Sequence, residues 1–400
     1  MIAVEEAEKH VFGHLMRCKA KEVAVDDALG CILHEDIVAD RDLPPFNRVM
    51  MDGIAIDHHA WQQGVRKFKV EGMQTAGAPQ MVLKNHTDSC LEVMTGAVMP
   101  QNTDVVVRYE DVEFIEKDLV KLKIDEVLPF QNIHLQGTDR KRRDVLIKAG
   151  KIISPAEIAI MATVGKSAVK VVSHPEVALV STGDELVNIE ETPHPYQVRK
   201  SNIHALKASL REMGFPTKSY HFTDEHRAVE EGLKSVFKNH DVVVLSGGVS
   251  KGKKDYVPEV LELLGVKKLF HRVKQRPGKP FWFGIRAEDD KTVFALPGNP
   301  VSTFMCFYKY VKPWLHQSAG LIPKKERAVL AEDFDFAADL TYFLQVKVSV
   351  NDKGVLQAIP VKGQGSGDLA NLLEADAFLE LPPDRQHFKH GETFSLLYYR

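Results

Sequence analysis

Residues 241–302 contain three short apolar runs that each adjoin a glycine turn: DVVVLSGG (241–248), RPGKPFWFG (276–284) and ALPGNPVS (295–302). Glycine has no side chain, so backbone N–H groups in such turns can approach an anion closely. In the last turn, Asn299 and Pro300 suit the N-cap and the first position of a following helix. Helix N-termini that follow strands of an open sheet are where anionic groups bind. This stretch therefore predicts a phosphate-handling α/β site.

The segment around these turns alternates between strand and helix patterns. Predicted strands at 176–182 and 217–223 alternate with predicted helices at 201–214 and 224–239, and the run at 241–245 follows as a buried strand. Such alternation is typical of a doubly wound, mostly parallel sheet with helices on both faces. We therefore expect a central α/β domain of this kind.

The rest of the chain predicts a multidomain α/β protein, because 400 residues exceed what one core usually organises. Short β-like runs separated by turns indicate an inserted β domain, and a second set after the α/β domain indicates a barrel or sandwich. Helix and loop patterns on both sides of the inserted domain indicate a two-part connector. The expected divisions are a helical connector at 1–42 and 140–173, an inserted β domain at 43–139, the α/β domain at 174–318 and a C-terminal β domain at 319–400.

Composition and charge exclude several classes of function. The chain has 27% charged residues, 44% hydrophobic residues and a net charge of −3, which argues against a protein held on nucleic acid by bulk electrostatics. No apolar stretch approaches the ~20 residues of a membrane span. Any phosphate site must therefore concentrate its positive charge locally.

The cysteines and the N-terminal segment favour the cytoplasm. The four cysteines lie far apart without a CxxC pair, which fits a reducing compartment and no structural zinc. The first residues, MIAVEEAEKHVFGHLM, are acidic and amphipathic and do not resemble a signal peptide. We expect a cytoplasmic protein that contacts neither nucleic acid nor membrane.

Six motifs occur in an order that resembles a known family: PPFNRVMMDGIAI (44–56), TGAVMP (95–100), VALVSTGDEL (177–186), SGGVSKGKKDY (246–256), RPGKPFWFG (276–284) and LPGNPVS (296–302). With the later GQGSGDL (363–369), they resemble the molybdopterin molybdenumtransferases, of the MoeA and gephyrin E-domain type. The resemblance spans almost the whole chain. It implies insertion of molybdate into adenylylated molybdopterin with release of AMP, in a Mg²⁺-dependent homodimer.

Carboxylates beside the glycine turns are candidates for the cation site that such a substrate requires. Asp52, Asp184, Glu185 and Asp255 lie in or next to these turns, and Mg²⁺ prefers one or two carboxylates together with substrate phosphates. Each of them could instead be a loop cap or a solvated surface charge. The family motifs favour Asp52, Glu185 and Asp255 as catalytic residues and metal ligands, and they leave Asp184 open.

Cations and small polar residues are the candidates for binding the anionic substrates. Arg276 and Lys279 flank Pro277 and Gly278, which we call the PG turn. A surface turn with extended side chains would have the same sequence. Arg276 stands where the family more often has lysine, and its planar guanidinium can bind phosphate or molybdate oxygens in bidentate fashion. The remaining residues expected to contact the pterin substrate are Thr95, Gly247, Gly248, Ser250, Pro297, Gly298, Asn299 and Ser366.

Four other positions carry weaker expectations. Asp139 matches an acidic loop position of the family, and Asp224 is read as a helix N-cap although the family has a functional acid nearby. Gln345 stands where the family leads us to expect an arginine. Lys347, two residues further along the same strand face, could replace the missing charge.

Two other functions remain open at this point. The α/β domain resembles that of the molybdopterin adenylyltransferases, and a gephyrin-like scaffold without activity would also have this fold. The MDG and GQGSG motifs favour molybdenum insertion, whereas Gln345 slightly favours the scaffold. Asp52 and Asp255 lie in different predicted domains, so we expect each site of a C2 dimer to contain both chains, with the adenylyltransferase as a further possible partner.

Overall fold

The computed structural model describes residues 1–249, 255–322 and 324–400. The chain begins with helix α1 (Val4–Phe12) and strands β1 (Lys19–Ala24) and β2 (Ile37–Val38). Helix α1 buries Val4, Ala7 and Val11, which recur at helical spacing, and this face packs into the core of the α/β domain. The N-terminal segment is therefore attached to a domain that follows it by more than a hundred residues.

The inserted β domain is built around one six-stranded sheet. Its elements are β3 (Arg48–Val49), β4 (Gly53–Ile56), α2 (His58–Gln62), β5 (Lys67–Gln74), β6 (Ser89–Val93), β7 (Val105–Arg108), β8 (Val112–Glu116), β9 (Leu119–Leu122) and β10 (Ile133–His134). The strand order is β7-β4-β6-β5-β9-β8, and the β5–β6 pair is parallel. Alternate residues such as Ile54 and Ile56 enter a core that is separate from that of the α/β domain. This arrangement agrees with the β domain expected from the short runs.

The second part of the connector returns to pair with the first. It comprises β11 (Val145–Ile147), α3 (Pro155–Thr163) and β12 (Ala168–Ser173). Ser154 is the N-cap of α3 and forms a capping box with Glu157, with Pro155 at the helix start. The antiparallel β1–β12 ladder was not predicted, since we expected helix and loop here. Strand β1 is almost entirely exposed and thus lacks an apolar pattern.

The α/β domain contains a six-stranded mixed sheet. Its elements are β13 (Val177–Thr182), β14 (Leu186–Val187), β15 (Val198–Arg199), α4 (Ser201–Glu212), β16 (Thr217–Phe222), α5 (His226–Asn239), β17 (Val242–Ser246), α6 (Val257–Leu263), β18 (Lys267–His271), β19 (Gln275–Arg276), β20 (Trp282–Arg286), β21 (Lys291–Leu296), α7 (Pro300–Cys306) and α8 (Lys312–Ser318). The order is β16-β13-β17-β21-β20-β18; the first four strands are parallel, and β20 is antiparallel to both of its neighbours, β21 and β18. The mostly parallel sheet is therefore confirmed.

Helices cover both faces of this sheet. Leu179 of β13 packs in a cluster with Leu206 of α4, whereas its neighbour Val180 packs in another cluster with Leu233 of α5 and Val260 of α6. Side chains of consecutive strand residues point to opposite faces, so a fully buried strand such as β13 requires helices on both sides. Within the described ranges, no helix is long and apolar enough to cross a bilayer.

The C-terminal domain is a closed barrel. Its strands are β22 (Glu326–Leu330), β23 (Phe334–Asp335), β24 (Thr341–Val350), β25 (Leu356–Pro360), β26 (Ala377–Leu381), β27 (His387–Phe388) and β28 (Thr393–Tyr398). Five of them close in the order β24-β25-β22-β28-β26, with β26 pairing back to β24. Strand β19 of the α/β domain adds to β24 in parallel. The barrel is thus joined by backbone hydrogen bonds to the preceding domain.

A buried lysine connects three parts of the chain. Lys309 lies in a π-helical segment, Phe307–Val311, between α7 and α8. Its Nζ lies 2.7 Å from Glu8 Oε1 on α1 and 2.8 Å from Glu380 Oε2 on β26. Burial alone would lower the pKa of Lys309, but the two carboxylates outweigh it and raise the pKa. The lysine therefore stays charged and orients the N-terminal helix and the barrel on the α/β domain.

Replacing Lys309 with methionine should destabilise the protein. Met keeps the apolar stem but leaves Glu8 and Glu380 facing each other without a cation. Both carboxylates are partly exposed, so we expect a loss of about 2 kcal/mol in unfolding free energy, less than for a fully buried pair. Lys268→Met, which breaks the exposed pair with Glu262, should cost at most ~0.5 kcal/mol. Equal losses in calorimetry would contradict a special role for Lys309.

Candidate functional site

A cavity of about 1250 Å³ lies between the carboxyl edge of the parallel sheet and the C-terminal barrel. Strand β13 leads into α4 on one face of the sheet, whereas the neighbouring β17 leads to α6 on the other face. Ligands of doubly wound sheets bind at such a switch point, outside the carboxyl ends of the strands. Residues of β24 and of the loop 361–367 form the opposite wall. The fold thus positions one large crevice beside the glycine turns.

The turn after β17 requires both of its glycines. Gly247 and Gly248 have φ angles of 103° and 70°, in the region that favours glycine. A Cβ on Gly248 would lie 2.6 Å from Val257 Cγ2 and 2.8 Å from Thr182 Oγ1. The Thr182 hydroxyl is buried in the cavity wall and has no hydrogen-bond partner within the described residues. Ser250, predicted as a further ligand, lies outside the described residues.

Two of the predicted carboxylates line the cavity together. Glu185 and Asp255 are both in its wall, and Asp224 joins them. Asp184 is not a lining residue: its carboxylate accepts a hydrogen bond from the Asp224 N–H at 3.0 Å. This bond joins the turn after β13 to the loop that precedes α5. Asp224 was wrongly read as a helix cap, since Glu225 holds the N-cap position of α5.

The third expected ligand is in the inserted β domain. Asp52 Oδ1 accepts hydrogen bonds from the Thr95 backbone N–H at 2.7 Å and from the Thr95 hydroxyl at 2.8 Å. These bonds hold the pKa of Asp52 below its usual value. Neither residue lines the cavity, and within the described residues no three His, Cys, Asp or Glu side chains cluster as a metal site. A single chain therefore does not bring Asp52 to Glu185 and Asp255.

The other acidic candidate also lies away from the cavity. Asp139 is exposed, and its Oδ1 lies 3.0 Å from Nε2 of His134 on β10. It follows β10, which pairs with β3, the strand that directly precedes the MDG motif. Its position groups it with Asp52 and Thr95 in the N-terminal half of the chain rather than with the cavity.

Positive charge is concentrated in the cavity wall, as the net charge of the chain required. Arg276 and Lys279 both line it on the PG turn, and Arg199 and Lys200 add two further cations. The sequence analysis missed the last two. Their position in the sequence could have indicated this role, because the pair directly precedes the helix that starts at Ser201. Helix N-termini are common anion-binding sites.

The LPGNP turn and the GQGSG loop contact each other across the cavity. Asn299 occupies the N-cap position of α7, but its side chain makes no capping bond. Instead, Asn299 Nδ2 donates to Ser366 Oγ at 2.8 Å, and the Val301 N–H donates to the Ser366 carbonyl oxygen at 3.1 Å. Pro297 and Gly298 line the wall beside them. The predicted binding residues of the two domains are therefore joined directly.

Asn202 is a third residue that the sequence analysis missed. Its Nδ2 lies within hydrogen-bonding distance of the Gly298 carbonyl oxygen at 2.8 Å and of Ser246 Oγ at 2.9 Å. It thereby ties the N-terminus of α4 to the ends of β17 and β21. No local pattern indicated this role, because its partners are distant in sequence.

The expected replacement of a lost arginine by Lys347 is not supported. Gln345 does line the cavity, where its Oε1 accepts a hydrogen bond from Asn371 Nδ2 at 2.8 Å. Lys347 is exposed and is not among the lining residues. Lys347 shares a strand face with Gln345, but β24 is 10 residues long and Lys347 lies beyond the part of the strand that lines the cavity. Among the described residues, the cations that line the wall are those on the PG turn and before α4.

These features define a multidomain α/β protein with a large crevice, lined by cations, carboxylates and glycine turns, at its sheet switch point. Family models match nearly the whole chain: the MoeA N-terminal region (domains I and II) at residues 2–165, a probable molybdopterin binding domain at 178–317, and the MoeA C-terminal region (domain IV) at 327–398. The chain belongs to the MoeA family.

Individual relatives agree with this assignment. A Synechocystis sp. protein named molybdopterin molybdenumtransferase is 38% identical over 395 residues, which cover 98% of this chain and 99% of that protein. A Staphylococcus epidermidis protein of the same name is 32% identical and covers 99% of this chain and 95% of its own. The crystal structure of a Pyrococcus horikoshii molybdopterin biosynthesis MoeA protein, 28% identical, superposes with a TM-score of 0.87 over 100% of this chain and 99% of that one.

Substituting alanine for Gly248 should perturb the cavity wall more than the same change elsewhere. Gly265 has a similar φ of 80°, but its Cβ would meet nothing within 4 Å, so Gly265→Ala should cost only about 1 kcal/mol of backbone strain. Gly248→Ala adds the contacts with Val257 and Thr182, and we expect a total loss of about 2–4 kcal/mol. Thermal unfolding of the two variants measures this difference. Indistinguishable melting temperatures would mean that the turn yields freely.

Proposed function

We propose that this protein transfers molybdenum from molybdate to adenylylated molybdopterin and releases AMP. The observation that carries the proposal is one crevice that combines glycine turns, carboxylates and cations, in a chain matched by MoeA models on both sides of its molybdopterin-binding domain. The substrate joins molybdopterin to AMP through a pyrophosphate, so the site must neutralise phosphate oxygens. The attacking sulfurs belong to the substrate, and no protein nucleophile is required.

The glycine turns and helix N-termini would hold the pterin substrate. Backbone N–H groups at Gly247 and Gly248 and the start of α7 at Asn299 suit a phosphate or a pterin edge. The Thr182 hydroxyl beneath them is an unused donor within the described residues. Ser366, bonded to Asn299, would complete this wall from the barrel side.

The carboxylates suit Mg²⁺. Glu185 and Asp255 offer oxygen ligands in the same wall, and Mg²⁺ commonly takes one or two carboxylates and completes its shell with water and substrate phosphates. Gly183, at φ 140°, lets the Glu185 carboxylate fold against it: a Cβ there would lie 2.7 Å from Glu185 Oε2. A bound Mg²⁺ would neutralise the pyrophosphate and stabilise the departing AMP phosphate.

Arg276 and Lys279 would bind the oxygens of molybdate. They project from one short turn into the cavity, so their charges can act on a single oxyanion. The Arg276 guanidinium also lies 5.9 Å from the centre of the Phe336 ring, which limits its freedom. Their role is to orient molybdate for attack by the dithiolene sulfurs.

Two copies of the chain would complete each site. Asp52 and Thr95 lie outside the cavity of their own chain, and Phe46, Met50 and Met51 beside them are exposed apolar residues. Exposed apolar groups around a candidate site residue suit a surface covered in an assembly. We therefore assign the protein as a C2 homodimer in which Asp52 of one protomer reaches the cavity of its partner.

The two rival functions are less favoured. An adenylyltransferase needs the α/β domain alone, whereas here the MoeA regions flank it. A scaffold needs no charged crevice, yet Glu185, Asp255, Arg276 and Lys279 all line one. The adenylyltransferase remains a candidate partner that supplies the substrate. The cytoplasmic location stays a prediction, and so do the domain divisions at 42, 139, 173 and 318. Two of the matched regions end near the last two divisions, at residues 165 and 317.

Release of AMP from adenylylated molybdopterin should require both molybdate and Mg²⁺. The reason is that the carboxylates and the PG turn act on one bound substrate. We expect turnover to fall to background when either EDTA is added or molybdate is omitted, as measured by chromatography of AMP. Equal release without molybdate would indicate a simple pyrophosphatase.

A matched pair of variants links this reaction to the cavity. Asp255→Asn removes one charge from the proposed cation site without changing its shape, and we expect a severe loss of turnover. Asp241→Asn makes the same change at the opposite end of β17, where the carboxylate accepts a hydrogen bond from the Glu176 N–H, and should retain turnover. Normal turnover by Asp255→Asn would make that carboxylate purely structural.

Mixed dimers test whether each site contains both chains. Homodimers of Asp52→Ala and of Asp255→Ala should each be nearly inactive. Heterodimers of the two should recover up to about half of the wild-type activity, because one site then carries both substitutions and the other carries neither. Co-refolding followed by the AMP assay measures this. Verified heterodimers without recovered activity would place each site within one chain.

A further inference from the structure

The PG turn rests on a buried amide that the proposed chemistry does not use. Gln275 is 0% exposed and directly precedes Arg276. Its Nε2 donates to the Gly278 carbonyl oxygen at 3.0 Å, and its Oε1 accepts from the Tyr310 hydroxyl at 2.5 Å. Because the hydroxyl occupies the amide oxygen, the amide nitrogen is directed at the turn. Tyr310 therefore selects the orientation in which Gln275 supports the backbone between the two cations.

The packing around Gln275 and Tyr310 leaves their side chains few other arrangements. Tyr310 is also 0% exposed, and burial raises the pKa of its hydroxyl, so it remains a donor. Gly278, at φ 91°, packs so closely on α7 that a Cβ would lie 2.5 Å from Cys306 Sγ. The Gln275 Nε2 also lies 3.4 Å from that sulfur. The turn thus lies directly on the helix, with the amide as its hydrogen-bonded support.

Other bonds of the turn reach different parts of the protein. The Val273 N–H donates to the Lys279 carbonyl oxygen at 3.0 Å, which closes the turn on itself. Arg276 pairs with Tyr342 of the barrel through β19 and β24. The Gln275 side chain joins the turn to the helix that ends the α/β domain. This contact therefore sets where Arg276 and Lys279 lie relative to the rest of the cavity wall.

We propose that Gln275 and Tyr310 are positioning residues for oxyanion binding, which fix the separation and direction of Arg276 and Lys279. This rests on the proposed function, in which those two cations bind molybdate. Neither positioning residue needs to touch molybdate, since each acts through the turn. The consequence is specific: the pair governs affinity for molybdate and leaves affinity for the pterin substrate unchanged, because the LPGNP turn is held by Asn202 and Ser366 instead.

Two variants separate positioning from folding. Tyr310→Phe leaves the Gln275 amide oxygen buried without a donor, so it should lower the melting temperature. The double variant Gln275→Leu/Tyr310→Phe replaces both partners with apolar groups of similar size, which should restore much of the stability but not the bond to Gly278. Both should raise the KM for molybdate by about tenfold, with the KM for adenylylated molybdopterin changed less than about twofold.

Two controls make the outcome decisive. Tyr308→Phe removes a neighbouring buried hydroxyl, which is bonded to Ser209 Oγ at 3.0 Å rather than to the turn, and should leave the molybdate KM unchanged. Lys279→Ala tests the turn itself and should raise that KM. If Lys279→Ala raises it but the double variant does not, the positioning role is wrong and the proposed function stands. If neither raises it, the role of the turn in molybdate binding is wrong, and the positioning role with it.

Discussion

The cavity depends on a two-residue strand. Gln275 and Arg276 leave the α/β domain and pair in parallel with Thr341 and Tyr342 at the start of the long barrel strand β24. Backbone hydrogen bonds fix this register, and a slip of one residue would turn Arg276 away from the cavity. Because the pairing lies beside the carboxyl edge of the parallel sheet, it holds the barrel over the switch point. The large crevice is the space left between them.

Buried polar groups next to this strand specify the arrangement rather than simply strengthen it. The π-helical segment presents Lys309 to Glu8 and Glu380, while the adjacent Tyr310 reaches Gln275. Apolar residues could fill such a space with similar stability, whereas polar groups are favourable only when their partners are in place. Domain positions that leave these groups unpaired are thereby disfavoured. We infer that consecutive residues of one helix orient the barrel and support the oxyanion turn.

Sequence reasoning was most accurate where a feature is local. The buried strands β13 and β17, the glycine turns after them and the helix start at Asn299 each depend on residues within a few positions of one another. Propensity and periodicity suffice there. The β1–β12 ladder was missed because its exposed strand has no apolar pattern and its partner comes after the entire inserted domain. Asp224 was misread as the N-cap of α5, because the helix begins at His226 and its N-cap position falls on the next residue, Glu225.

By itself the sequence determined the order of the domains, the doubly wound sheet and the charged glycine turns that line the cavity, since each follows from residue type and spacing. The tertiary structure decided which charges meet. It brought Arg199 and Lys200 to the cavity, left Lys347 outside it and kept Asp52 in a separate domain. Those outcomes depend on how strands from different domains pair and on how far a long strand extends. Such contacts between distant segments have no local signature in the chain.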